Sequence, residues 1–130
     1  MSTLVKDRVD KKVAEEELAK FFNLFGRNEQ EIMPMYMPPG IVDEVWHEKI
    51  EDADKYKEFC EQTAGKLVGH KEIPGKGELK WIKAYEREFG PLNEAWFADK
   101  EGYVNQRDFN EYKTQDSISM TWRCGPILTD

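Results

Sequence analysis

From Val9 to Phe25 the apolar residues Ala14, Leu18, Phe21, Phe22 and Phe25 recur at steps of three and four. That is the period of one helical face, and Gly26 stands where a helix would stop. The next stretch, EIMPMYMPPG, carries three prolines and is read as an extended connector with its apolar side chains laid across a core. A second helix is expected from Ile41 to Glu51, with Val42, Val45, Trp46 and Ile50 on its apolar side. Asp52 or Asp54 suits the cap of a third helix that runs to Ala64 and is followed by Gly65. Its apolar face holds Tyr56, Phe59, Cys60, Thr63 and Ala64. KLVGHKEIPGKGE, with three glycines and a proline, reads as a loop. A fourth helix over about Glu78 to Phe89 buries Leu79, Ile82, Tyr85 and Phe89, and Gly90-Pro91 ends it.

The last forty residues carry a weaker pattern. Asn93 begins a short helix through Trp96, and DKEGYVNQRDFNEY reads as a hairpin or a helical turn. Ser117 to Arg123 alternates polar with apolar residues, the signature of a strand. A lone strand needs a partner, and Gly102 to Val104 is the nearest candidate. The expected fold is mainly α: one domain over 1–130, with four or five helices and room for a small C-terminal β element. Residues 98–130 read as an extension of uncertain structure.

Charge and composition narrow the function. The 130 residues are 39% hydrophobic and 12% aromatic, enough for one compact core despite 35% charge. The net charge is −7, from 26 acidic against 19 basic side chains. An acidic chain gains nothing from counterion release on nucleic acid or from an anionic membrane, so neither is an expected partner. A protein partner, in particular a basic one, is expected instead. No stretch approaches the apolar length of a membrane span, and MSTLVKDRVDKK lacks the apolar run of a secretory signal. A cytoplasmic location is expected, with Cys60 and Cys124 as free thiols.

Three chemical readings are open. Asp43 and His47 lie four apart on one helical surface, and Cys60 and His70 follow on the next elements. Imidazole and thiolate together suit zinc, so Asp43, His47, Cys60 and His70 form a candidate metal set. The ordinary alternative is that His47 bonds Asp43 or a carbonyl, while Cys60 and Trp46 pack in the core. Glu44-x-x-His47 has the spacing of di-iron bundles but lacks the second such motif. Nucleophilic catalysis by Cys60 is disfavoured, because Glu58 and Glu61 flank it and negative charge opposes a thiolate. No phosphate-cradling or hydrolase-elbow motif is present. The third reading is a protein-binding module using Met35, Tyr36 and Met37 of the connector and Trp122 of the tail. Against it stands a connector buried as a lid and a tail docked by Trp122, Ile127 and Leu128.

One ordered series of residues resembles the glycine-rich domain-containing protein-like family. Val42, Asp43, Trp46 and His47 match its first block, Tyr56 and Cys60 the second, and Gly65 and His70 the third. Tyr85, Phe89, Gly90, Pro91 and Trp96 resemble the last, so the resemblance spans about residues 15–97. Lys49 stands where that family carries a second histidine, and no glycine-rich region follows Asp99. The resemblance implies a small helical domain and supplies no enzymatic activity. The leading expectation is therefore a non-enzymatic protein-binding domain, and the alternative is metal binding or metal-dependent catalysis around His47, Cys60 and His70.

Overall fold

The computed structural model describes residues 8–115 and 119–128. Helix α1 spans Lys11–Arg27, and the Asp10 carboxylate caps it by accepting from the Val13 amide at 3.0 Å. The helix runs past the expected stop and ends at Asn28, whose left-handed backbone returns its amide to the Phe25 carbonyl. Gly26 has a different reason to be glycine. A Cβ there would lie 2.2 Å from the Ala64 carbonyl oxygen, so its bare backbone lets a second helix approach.

That partner is α3, Ala53–Thr63, capped by Asp52 and preceded by α2, Ile41–Ile50. Helix α4 covers Trp81–Phe89 and stops at Gly90 with φ 90°, as the sequence indicates. The Asn93 side chain opens a short 3-10 turn over Glu94–Phe97. The segment read as a hairpin or helical turn is helix α5, Gln106–Gln115, begun by Asn105 accepting from the Asp108 amide. The described residues thus hold five α-helices and one two-stranded antiparallel sheet, and the fold is mainly α.

The sheet corrects two expectations. KLVGHKEIPGKGE is mostly strand: β1 runs Val68–Glu78 and pairs with β2, Ser119–Leu128. The proline and glycines mislead because the register shifts between Glu72 and Gly75, which accommodates Pro74 in a bulge. Gly75 sits under the Trp122 indole, where a Cβ would meet the ring at 2.8 Å. Gly102 to Val104 does not pair with the C-terminal strand; Tyr103 and Val104 instead make isolated bridges with Arg8 and Ala98. The first two residues of the expected strand, Ser117 and Ile118, lie outside the described residues.

One buried cluster runs from Val9 to Cys124 and includes Ala98 and Tyr112. Ala98, Tyr112 and Cys124 thus contribute to this core from the C-terminal part of the chain. At its centre Phe21 meets Trp81 edge-on at 5.0 Å, and Trp81 lies 4.8 Å from Trp96. The connector crosses this core as a lid. Met35 and Met37 are buried, and the Met37 amide donates to the Cys124 carbonyl at 2.9 Å. Tyr36 stacks on Trp122 at 4.3 Å with the rings 2° from parallel. Met35 and Met37, two of the expected partner contacts, lie in the core. The tail docks through Trp122 and the buried run Cys124, Gly125 and Pro126, whereas Leu128 is exposed.

Candidate metal centre

Two side chains of the site come from α2. Asp43 and His47 are one turn apart on the same surface, with His47 Nδ1 3.6 Å from an Asp43 oxygen. Two come from the β1–β2 sheet. His70 is opposite Pro126 and Cys124 opposite Glu72, so His70 and Cys124 are diagonal neighbours on one face of the sheet. The Met37–Cys124 bridge holds β2 at this point. Gly125 allows it, since a Cβ there would lie 2.7 Å from the Met35 carbonyl oxygen.

A hydrogen-bonded relay fixes α2 against β1 beside the site. Trp46 Nε1 donates to the Tyr56 hydroxyl at 3.0 Å, and that hydroxyl donates to the Val68 carbonyl at 2.6 Å. The Trp46 ring also meets the His70 ring edge-on at 4.8 Å. Trp46 and Val68 are chain neighbours of His47 and Gly69, so the relay positions the two histidines from behind.

The result is convergence. One donor atom from each of Asp43, His47, His70 and Cys124 lies within 4.8 Å of all the others. His47 Nε2 and His70 Nε2 are 3.1 Å apart, and Cys124 Sγ is 3.3 Å from an Asp43 oxygen. Zinc bonds of about 2.0–2.3 Å imply donor–donor edges of about 3.3–3.8 Å in a tetrahedron. The His47–His70 and Cys124–Asp43 spacings sit near those edges, whereas the four donors as a set spread over as much as 4.8 Å. Without an ion the groups satisfy one another: one imidazole N–H donates to the other, and the thiol donates to the carboxylate.

The electrostatics favour the uncharged forms. Burial pushes the Asp43 carboxyl above the usual carboxylate range, partly offset by His47. Burial, then the neighbouring His47, holds His70 below the ordinary imidazole value. Burial and the Asp43 charge push the Cys124 thiol well up. A cation at the centre reverses this balance, because it favours the carboxylate, the neutral imidazoles and the thiolate together.

Three of the four residues expected from the sequence, Asp43, His47 and His70, are brought together. Cys60 is not: it is fully buried on α3 and outside the donor set. Its place is taken by Cys124, which the sequence offers only as part of the tail. The available signal was the strand period, which puts Cys124 two residues beyond Trp122 on the same face. Lys49 points away from the site: its ammonium bonds Glu15 at 2.9 Å and lies 4.4 Å over the Phe59 ring. Among the described residues no helix is long and apolar enough to cross a membrane. No protein-family model, curated protein or solved structure matches the chain.

Proposed function

We propose that this protein is a metal-binding domain that holds one zinc-class ion between Asp43, His47, His70 and Cys124. The observation that carries the reading is the convergence of four chemically suitable donors within 4.8 Å. Two imidazoles, a thiolate and a carboxylate form a donor set that suits zinc over harder cations. Such an ion would join α2 to both strands of the sheet, and its binding energy would be folding energy for that junction.

This reading is preferred to the protein-binding module because two of the four contact residues, Met35 and Met37, are core. The resemblance to the glycine-rich domain-containing protein-like family belongs to the proposal: Asp43, His47 and His70 are at once matched positions and donors. A reducing cytoplasmic setting accords with it, since Cys124 must stay a thiol to bind metal. The test is elemental analysis of protein purified without chelator and then dialysed against zinc. One equivalent of tightly held zinc is expected. Well-folded protein that takes up none would remove the proposal.

A further inference from the structure

The donors are not equally covered. Cys124 is 2% exposed and the Asp43 side chain 14%, whereas the His47 side chain is 47% exposed. An ion here is thus backed by protein on the Asp43–Cys124 side and open on the His47–His70 side. His70 also forms one wall of a cavity of about 590 Å³ between α2, α3 and the start of β1. Ile50, Ala53, Tyr56, Leu67 and Val68 give it a mainly apolar wall, Asp54 and Lys57 bring charge to it, and His70 is the one donor that lines it. Leu67, 42% exposed, stands at the solvent edge of this cavity. Four protein donors alone close a tetrahedral zinc site, so a further ligand must expand it to five-coordination, and the exposed His47 side is where it has room to approach.

We infer that the ion of this site takes an exchangeable ligand from solution, a small molecule that joins a nitrogen or oxygen donor to an apolar body. The donor atom approaches the metal on the open imidazole side. The apolar body lies in the cavity against Ile50, Ala53 and Leu67. This inference rests on the metal reading. It adds that the site is a ligand-binding centre and not only a structural staple. Binding combines coordination of the donor atom with burial of the apolar body, and no bond within the ligand is made or broken.

The test uses the full chain loaded with cobalt(II), whose visible absorption reports coordination. The probes are imidazole and 4-phenylimidazole, which share a donor and differ by an apolar ring. Both are expected to change the cobalt spectrum saturably while the metal stays bound. The phenyl compound should bind at least about tenfold tighter, because burying the ring adds hydrophobic gain. Leu67→Asp should bring that advantage below about threefold without changing cobalt affinity. Ala53→Asp, on a different element, provides the same readout if Leu67→Asp folds poorly. Cobalt bound with a spectrum that neither probe alters would overturn the inference and leave the metal reading standing. Equal affinity of the two probes would overturn the assignment of the cavity. Failure to bind cobalt at all would remove both.

Discussion

His47 and His70 are 23 residues apart in sequence, yet their Nε2 atoms lie 3.1 Å apart with rings inclined at 71°. Two imidazole nitrogens at this distance must share one proton or one cation, since two N–H groups facing each other repel. Asp43 and Cys124 complete the set from the buried side. Most of the experimental consequences follow from that arrangement.

The two cysteines separate cleanly. Cys124→Ala should lose zinc, while Cys60→Ala should keep it, as Cys60 lies outside the donors. Removing a ligand should cost more than the about 10–100-fold typical of losing an outer-sphere partner. Competition titration against a chromophoric chelator measures both variants. Equal zinc affinity in the two would contradict the assigned site.

Zinc should raise thermal stability. Free zinc at 100 times its dissociation constant adds about 2.7 kcal/mol, on the order of 10 °C for a chain of this length. A chelator should reverse the shift, and Lys49→Ala should leave its size unchanged, because Lys49 faces Glu15 and Phe59. A thermal melt with and without zinc decides this. A reduced shift in Lys49→Ala would place the lysine in the site after all.

Acid should act on both the protein and the metal. The folded-state value of His70 lies below its ordinary value, so the unfolded chain takes this proton first as pH falls. The contribution of His70 is therefore full above about pH 6.5 and is lost as pH drops toward its folded value. Asp43 has the opposite sign: its raised value means that ionisation costs stability as pH climbs above about 3.8 through that value. As pH falls from about 7 through the ordinary histidine value, the His70 effect should weaken the apo protein, until protonation of Asp43 opposes it. Metal binding at pH 7.5 should release about one proton, from the Cys124 thiol, whose value is raised. Calorimetry in buffers of different ionisation enthalpy counts that proton.

The buried carboxylate of Glu17 should matter for stability alone. It is 2% exposed and accepts from Trp96 Nε1 at 3.0 Å, from Lys20 at 2.9 Å and from the Tyr85 hydroxyl. Glu17→Ala strands Tyr85 and Trp96 in the core and should cost about 3–5 kcal/mol. Tyr85→Phe leaves the carboxylate two partners and should cost about 1–2 kcal/mol. Urea unfolding should rank them in that order, with zinc affinity unchanged in both.

Gly26→Ala should destabilise by about 1–3 kcal/mol even though alanine favours helices, because the added methyl meets the Ala64 backbone. Stabilisation on urea unfolding would show that α1 and α3 can separate at no cost.

The sequence by itself determined the helical body. Apolar residues at three- and four-residue steps placed α1 to α4, since helical burial is a local, periodic demand. Asp52, Asn93 and Gly90 marked ends for local reasons too, as a cap or a left-handed turn is decided within a few residues. The i, i+4 pair Asp43 and His47 was legible on the same grounds. The tertiary structure decided the rest. The β1–β2 pairing joins Val68 to Leu128 across the whole C-terminal half, and no local pattern encodes a partner so distant. The bulge at Pro74 further hid β1 behind turn residues. That pairing chose the thiol: Cys60 has the nearer sequence position, but its side chain points into the α3 core, whereas β2 carries Cys124 to His70. A metal set gathered from a helix and two strands depends on the register between them, and register is a property of the folded chain.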